Sequence, residues 1–219
     1  MSIILPWSDE SSFPLFYVFL MQKGVSIHGV VHIGAHHCEE KKEYNMFNIK
    51  DEDIIWIEGN NDICNKMKAE GITQIYNALI DSEERDIDFN ITNNGQSSSI
   101  FPLGVHKMFY PDIHVVEQRR QRTTTLKKFF ETINVSPSRF NFWSLDIQGA
   151  EYNALLGAGD LLDSVDALLV EVNFDQLYLG IPLIDSVDKL LHDHGFTRTH
   201  TKIAFQRWGD ALYVKTKYL

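Results

Sequence analysis

The chain has 219 residues, of which 44% are hydrophobic and 23% are charged, as is typical of one soluble globular domain with a sizeable core. A net charge of −10 offers no general basic footprint for a phosphate backbone, so nucleic acid is not an expected partner. The two cysteines, Cys38 and Cys64, form neither a CxxC pair nor a disulfide framework, which favours a reducing, cytoplasmic compartment.

The first distinct feature along the chain is an apolar run from Phe13 to Met21. It is too short to span a bilayer, and acidic residues precede it where a secretory signal would have basic ones. We therefore expect no membrane partner. Residues 1–28 are predicted to form a helical cap on a single domain that covers 1–219.

From residue 29 onward, strand-like and helix-like segments alternate, which predicts an α/β fold with a mostly parallel sheet and helices on both faces. The last two strand-like segments, 196–201 and 211–215, are predicted to pair as an antiparallel hairpin. Ligands of such folds bind at the carboxyl ends of the strands. The other predicted strands cover 29–33, 53–57, 74–79, 85–91, 115–125, 140–145 and 167–172, and the predicted helices cover 38–47, 62–69, 126–133, 148–156 and 186–194.

The longest segment without a clear periodicity covers residues 92–112. A loop of that length inside a compact domain is usually either functional or disordered. Its aromatic residues favour an ordered loop, which we predict to contact a substrate. His106 lies on it and is a candidate general base.

The turn Gly34-Ala35-His36 follows the first apolar strand and precedes a helix. A glycine lets the backbone approach a ligand, and the helix N-terminus offers free N–H groups. A purely structural tight turn is the alternative. The motif GxGxxG is absent, which disfavours the pyrophosphate site of a nicotinamide-dependent oxidoreductase.

Glu58 ends the next strand, in the turn Glu58-Gly59-Asn60. A carboxylate there can accept hydrogen bonds from both hydroxyls of an adenosine ribose, although a solvated strand-end carboxylate is the alternative. Past the third strand, Asp81 could accept a bond from an adenine amino group, with Ala78 lining the ring. Polar residues commonly follow strands, so a structural role for Asp81 is equally open.

Two further carboxylates stand near strand ends. Asp146 ends a buried strand in SLDIQGAE, where it could orient a cofactor's amino group or take a proton from a substrate. Glu171 lies inside the apolar run ALLVEV, and a charge in such a run requires a partner or a function. Asp146, Glu171 and His106 are the candidate catalytic residues, and the sequence does not rank them.

Taken together, these segments resemble the FkbM family of S-adenosylmethionine-dependent methyltransferases. The resemblance implies a Rossmann-like class I methyltransferase sheet of seven strands, and methyl transfer to oxygen on a sugar, glycan or small molecule. It places Gly34 and Ala35 against the methionine part of the cofactor, Glu58 on the ribose and Asp146 near the methyl group. The matching segments are VVHIGAHHCEE (30–40), IIWIEGNND (54–62), YNALI (76–80), SSSI (97–100), SLDIQGAEYNALLGAG (144–159) and LLVEV (168–172).

The chain departs from the family pattern at two places. His32 stands where many members have an acidic residue, and it remains a candidate cofactor contact. Lys127 follows Leu126 where the family has an aspartate, so no acidic role carries over there. The full set of candidate cofactor contacts is His32, Gly34, Ala35, His36, Glu58, Asn60, Ala78, Asp81 and Asp146.

Two other signals leave alternatives open. A divalent metal held by Asp146, Glu171 or Asp175 is conceivable but is not favoured, and no metal ligand is assigned. Arg119, Arg120 and Arg122 form a basic cluster, which is either a solvated strand face or a site for an anionic acceptor. A non-catalytic binding module that keeps the fold is the alternative to a methyltransferase.

Overall fold

The computed structural model describes residues 2–6 and 12–219. Its strands are β1 (Ile3–Pro6), β2 (Val30–Ile33), β3 (Ile54–Glu58), β4 (Ile75–Asn77), β5 (Leu79–Ile80), β6 (Asp86–Thr92), β7 (Val115–Thr124), β8 (Phe142–Leu145), β9 (Ala167–Asn173), β10 (Phe196–Ala204) and β11 (Trp208–Lys215). Its α-helices are α1 (Phe13–Gln22), α2 (Lys41–Met46), α3 (Asn61–Ala69), α4 (His106–Phe109), α5 (Leu126–Ile133), α6 (Glu151–Ala158) and α7 (Ile184–Asp193).

The main sheet of the described residues has eight strands in the order β1-β10-β11-β9-β8-β2-β3-β4. Strand β11 runs antiparallel to both of its neighbours, and the other pairings are parallel. The strand order reverses between β2 and β8, which lie side by side although their first pair, Val30 and Phe142, are 112 positions apart in the sequence. Such a switch point opens a crevice at the carboxyl ends of the two strands.

Successive side chains of a strand point to opposite faces of the sheet, and each face has its own hydrophobic core. Val31 and Ile33 pack with helices α5, α6 and α7. Val30 points to the opposite face, where helices α1, α2 and α3 cover it. Because both faces are buried, the parallel strands are predominantly apolar, which is why they could be recognised in the sequence.

The α/β fold class, the helices on both faces and the C-terminal hairpin are therefore confirmed. The strand count differs from the expected seven, because residues 3–6 of the predicted helical cap form β1, which pairs with β10 and becomes the edge strand. Ile3 and Ile4 have the branched side chains that favour a strand, but four residues carry too little periodicity to reveal it. Within the described residues, no helix has the length and apolarity needed to cross a membrane.

A second, three-stranded sheet in the order β5-β7-β6 stands beside the main one. It frames the segment 92–112, which contains the short helix α4 and otherwise lies as loop over the carboxyl ends of the main strands. An antiparallel bridge between Asn90 and Ser99, and another between Leu103 and Tyr178, tie this loop to both sides of the crevice. The loop is thus held in place by backbone pairing.

Candidate active site

The turn after β2 brings two strand ends unusually close. Gly34 has φ +92°, and a Cβ atom placed on it would lie 1.7 Å from the carbonyl oxygen of Asp146. The N–H of Asp146 donates to the carbonyl of Ile33 at 2.9 Å, and the N–H of Gly34 donates to that of Ile57 at 2.9 Å. Only glycine satisfies both the backbone angle and the spacing. The switch point between β2 and β8 therefore depends on this residue.

Glu58, at the end of β3, links that strand to the same turn. Its two carboxylate oxygens accept the backbone N–H of His36 at 2.7 Å and of Asn60 at 2.6 Å. The side chain is almost completely enclosed, and burial raises the pKa of Glu58 while these two hydrogen bonds oppose the rise. Each oxygen keeps a second lone pair, so the carboxylate can still accept from a ligand.

An enclosed cavity, here called the inner pocket, lies beside Glu58. It has a cavity volume of about 60 Å³. Its walls are mostly apolar, with Glu58 and Asp146 as the carboxylates among its lining residues. Its apolar lining comprises Ile33, Ile57, Ala78, Leu79, Ile80, Phe89, Ile100, Ile147 and Ala150.

A second, more open cavity, here called the outer pocket, has a volume of about 440 Å³. Its polar walls include the side chains of His106, Tyr110, Glu171 and Trp208. The two pockets share Gly34, His36, Gln96, Asp146 and Gln148 as lining residues. They therefore meet at the end of β8, where Asp146 stands between them.

Three carboxyl groups gather at this junction: those of Asp146, Glu151 and Glu171 have oxygens that all lie within 4.8 Å of one another. Burial in the crevice raises the pKa of Asp146 to about 6, although the side chain opens onto the outer pocket. Burial raises the pKa of Glu151 to about 7, and that of Glu171 also stands well above its usual range, with Asp146 as the next cause. The cluster therefore retains protons near neutral pH.

Glu151 has its own set of donors, which distinguishes it from the other two acids. Its carboxylate accepts the backbone N–H of Ile147 at 2.8 Å and that of Gly149 at 3.0 Å. It therefore holds the turn that leads into α6. The sequence analysis did not assign it to the site, because an acidic residue at a helix N-terminus is explained by the helix dipole.

The side chain of Gln148 connects the other two acids, and the sequence analysis did not select it. Its Nε2 donates to Asp146 Oδ1 at 2.6 Å and to Glu171 Oε2 at 3.1 Å. Its Oε1 accepts a hydrogen bond from the hydroxyl of Tyr178. Tyr178 is only 1% exposed. Nothing in the local pattern predicts these contacts, because they join residues from three separate elements.

Clustered carboxylates are also the ligands that divalent cations prefer. Here, however, the oxygens of Asp146 and Glu171 face the amide N–H groups of Gln148, and those of Glu151 face backbone N–H groups. Asp175 lies outside the cluster and forms an ion pair with Arg207. The cluster is thus built around N–H donors, and we assign no metal ligands to it.

The remaining catalytic candidate, His106, lines the outer pocket from α4. It is 5% exposed, and its Nδ1 has no hydrogen-bond partner among the described residues. Burial lowers the pKa of His106, so the ring is neutral near pH 7. A neutral, unpartnered ring nitrogen beside a cavity can bond to a ligand hydroxyl.

His32 contacts the outer pocket from the middle of the sheet. Its Nδ1 bonds to the Tyr44 hydroxyl at 2.8 Å, and its ring lies against Trp56 with centroids 4.9 Å apart. Burial lowers the pKa of His32 to about 4, so it contributes no positive charge. His32 is thus a neutral core histidine with one edge on the pocket.

Three predicted cofactor contacts lie behind the pocket walls. Ala35 is buried, and Asn60 caps helix α3 by accepting the N–H of Asp62 at 3.0 Å. Asp81 is fully buried and accepts from Arg85 Nε at 2.7 Å and Asn153 Nδ2 at 2.9 Å. None of the three is a lining residue of the inner pocket. The carboxylate of Asp81 joins β5 to α6 through these bonds, and its contact with adenine stays a prediction.

The basic cluster of the sequence lies on the three-stranded sheet. Arg119 pairs with Asp62 at 2.9 Å and Arg120 with Asp88 at 3.2 Å. Arg119 and Arg122 border an open groove on the far side of Ala78 and Leu79, and neither lines the outer pocket. The solvated, ion-paired strand face is therefore the interpretation that the structure favours.

A doubly wound sheet of this strand order, with β11 antiparallel between β9 and β10, a glycine turn after β2 and an acid at the end of β3, defines a class I methyltransferase fold. The methyltransferase FkbM domain matches residues 32–197, which is most of the chain. The chain belongs to this family. No curated protein matches the sequence.

Several solved structures resemble the chain at low sequence identity. Methyltransferase FkbM from Methylobacillus flagellatus KT is 13% identical, with a TM-score of 0.49; the match covers 85% of this chain and 43% of that one. Magnesium protoporphyrin IX methyltransferase from Synechocystis PCC 6803, solved with S-adenosylmethionine, is 10% identical, with a TM-score of 0.47 and coverage of 92% and 77%. M. capricolum TrmK, solved with S-adenosylhomocysteine, is 10% identical, with a TM-score of 0.45 and coverage of 90% and 67%.

The chain therefore spans less than half the length of the Methylobacillus protein. At these identities and TM-scores, we transfer no functional residue or acceptor from the solved structures to this chain.

Proposed function

We propose that the chain binds S-adenosylmethionine in the inner pocket and transfers its methyl group to a hydroxyl of a sugar, glycan or other small molecule in the outer pocket. The observation that carries this proposal is the junction of the two pockets at Gly34, His36, Asp146 and Gln148. A donor and an acceptor bound in adjoining cavities can meet there in line. Membership of the FkbM methyltransferase family supports the same reaction.

The residues of the inner pocket fit this cofactor. Glu58 offers buried carboxylate oxygens to the ribose hydroxyls, and Ala78 stands on the apolar wall that would pack against adenine. Gly34 lines both pockets, so the backbone of the turn can lie against the methionine part. Asp146 lies where it can face the cationic end of the cofactor.

When bound, S-adenosylmethionine supplies an activated methyl group on a sulfonium. The remaining task of the protein is alignment, which can lower the barrier by several kcal/mol, with about 7–11 kcal/mol as the upper range. The acceptor hydroxyl also has to lose a proton. Asp146, Glu171 and His106 all line the outer pocket and are the groups that can accept it.

The charges of the outer pocket favour an uncharged acceptor. Its lining includes the carboxylates of Glu39, Glu40, Asp146 and Glu171, and none of its lining residues is lysine or arginine. An anionic group would meet repulsion there with no cation to offset it. Trp208 and Tyr110 line the same pocket and offer aromatic surface to a sugar ring.

Calorimetric titration of S-adenosylmethionine and S-adenosylhomocysteine into the wild type and Glu58→Ala tests the cofactor assignment. Hydrogen bonds from a charged carboxylate contribute about 1.5–3 kcal/mol each, so the variant should bind at least about tenfold more weakly. Glu84→Ala, on the exposed turn before β6, is a control that should bind as the wild type does.

Wild-type protein that binds neither compound, alone or with an acceptor panel present, would contradict the proposal. That outcome would favour the alternative function, a non-catalytic binding module that keeps the fold.

Cys38 and Cys64 are buried and form no disulfide, which is consistent with the predicted cytoplasmic compartment.

A further inference from the structure

The strongest feature outside the proposed cofactor contacts is the arrangement around Gln148. Its amide nitrogen contacts both Asp146 and Glu171, and its amide oxygen accepts from Tyr178. The two acids favour this amide orientation, because their oxygens accept from Nε2. Oε1 then lies on the side of the Tyr178 hydroxyl, which is also 3.2 Å from the carbonyl oxygen of Ser97. Gln148 therefore presents N–H donors to both carboxyl groups.

The backbone of Gln148 is held as firmly as its side chain. Its φ of +57° lies in the left-handed region, which a residue with a long side chain seldom adopts. The Ser99 hydroxyl donates to its carbonyl oxygen at 2.7 Å, which anchors the turn to the loop above it. Backbone strain of this kind at a pocket junction favours a positioning role over a packing role.

The two acids that Gln148 bridges are too close to be ionised together. Asp146 and Glu171 belong to the cluster whose carboxyl oxygens lie within 4.8 Å of one another, and the amide nitrogen of Gln148 bonds to both of them. Carboxylates at such separations repel each other in a cleft of low dielectric, so one of them keeps a proton. Glu151 has backbone N–H donors of its own, whereas Glu171 accepts from Gln148.

The acidic groups around Asp146 and Glu171 also favour the protonated form of Asp146. Asp210 on β11 and Glu40 before α2 are acidic and raise the pKa of Asp146. His32 on β2 is neutral, because burial lowers its pKa to about 4. Lys202 on β10 faces Asp210 and reduces that contribution. The hydroxyl of Tyr178 also remains protonated, since burial raises its pKa.

We propose that Asp146 and Glu171 share one proton as a hydrogen-bonded pair, that the pair accepts the proton of the methylated hydroxyl, and that Gln148 and Tyr178 are its positioning residues. The inference rests on the proposed function. As the new O–C bond forms, the S–C bond breaks and its electron pair stays on sulfur. The O–H proton passes to Asp146, which opens onto the outer pocket and releases it to water.

The paired arrangement has a consequence that needs no acceptor to observe. With one shared proton the pair carries one negative charge, which attracts the sulfonium of S-adenosylmethionine. A second proton at lower pH removes that charge. S-adenosylhomocysteine has the same amino and carboxyl groups but no positive sulfur, so the ratio of the two affinities isolates this effect.

The test is to measure both dissociation constants from pH 5 to pH 8.5 in EDTA, for wild type, Gln148→Asn and Tyr178→Phe. We expect the preference for S-adenosylmethionine to rise by about tenfold with increasing pH in the wild type. The midpoint should move to higher pH in Gln148→Asn, because the N–H bonds that stabilise the charged pair are lost. Tyr178→Phe should shift the midpoint in the same direction by less. Gln22→Asn, a matched change at an exposed position of α1, should leave the midpoint in place.

A ratio that is independent of pH, or an unchanged midpoint in Gln148→Asn, would overturn the inference. So would a pH dependence that disappears when EDTA is replaced by Mg²⁺, since the pair would then be a metal site. If Gln148→Asn does not fold, by circular dichroism, Tyr178→Phe carries the comparison. Failure of the wild type to bind either compound would instead overturn the proposed function.

Discussion

The carboxylate of Glu58 accepts the backbone N–H of His36 at 2.7 Å, across 22 residues of sequence. The same side chain accepts the N–H of Asn60 with its other oxygen. Glu58 thus fixes the turns after β2 and β3 relative to each other before any ligand binds. The residue expected to hold the ribose is also part of the scaffold.

These two roles of Glu58 should separate in Glu58→Gln. Glutamine keeps one acceptor oxygen for a backbone N–H, so we expect a loss of about 1–2 kcal/mol in the free energy of unfolding. Binding of S-adenosylmethionine should still weaken by about tenfold, because the charged acceptor is gone. Urea unfolding and calorimetry measure the two effects, and wild-type affinity in the variant would contradict the ribose role.

Gly34 and Gly24 form a matched pair of left-handed glycines. Both have positive φ, but a Cβ on Gly34 would meet the backbone of Asp146 at 1.7 Å, whereas nothing lies within 4 Å of one on Gly24. We expect Gly24→Ala to cost about 1 kcal/mol of unfolding free energy and Gly34→Ala about 3 kcal/mol or more. Equal losses in denaturant unfolding would contradict the close approach of β2 and β8.

Asp146 should make the ligand-free protein less stable as the pH rises. Its pKa is raised from 3.8 in the unfolded chain to about 6 in the folded one, so the folded chain binds more protons between these values. Its contribution to stability is therefore largest below about pH 4 and is lost as the pH rises to about 6.

We accordingly expect Asp146→Asn to reduce the decline in stability between pH 4 and pH 6, and to raise the free energy of unfolding at pH 7 by about 1 kcal/mol. This figure allows for solvent screening at a side chain that opens onto the cleft. Asp112→Asn, at an exposed position, should leave the profile unchanged. Identical profiles for Asp146→Asn and wild type, measured by denaturant unfolding, would contradict the raised pKa.

His106 should contribute to methyl transfer and little to the free energy of unfolding. Its buried Nδ1 lacks a partner among the described residues, so His106→Phe removes an unsatisfied polar atom and should leave the unfolding free energy equal or up to about 1 kcal/mol higher. If the ring bonds the acceptor, methyl transfer should fall by about 10²-fold or more. Unchanged turnover with a working acceptor would exclude His106 from the reaction.

The outer pocket should discriminate against anionic acceptors. For a neutral hexoside and the matching uronic acid, we expect release of S-adenosylhomocysteine to be at least about tenfold faster with the neutral compound. In the double variant Glu39→Gln, Glu40→Gln, the rates with the neutral hexoside and with the uronic acid should lie closer together. Arg122→Ala, on the three-stranded sheet, should not affect it. Faster turnover of the uronic acid would contradict the charge argument.

The sequence by itself determined the apolar strands, the order of the βα units and the place of two site residues, Gly34 and Glu58. Strands buried on both faces are mostly apolar. Gly34 directly follows one such strand and Glu58 ends the next, so a short-range pattern was sufficient to find them. Gly34 and Glu58 line the inner pocket as that pattern suggested.

The tertiary structure decided which polar residues face a cavity. Asp81 follows its strand much as Glu58 does, yet it bonds Arg85 and Asn153 within the scaffold. Gln148 and Tyr178 meet across 30 residues, and Gln148 reaches Glu171 across 23. Such contacts arise from the crossing of separate elements, so no local periodicity encodes them. The shared proton inferred for Asp146 and Glu171 depends on that convergence.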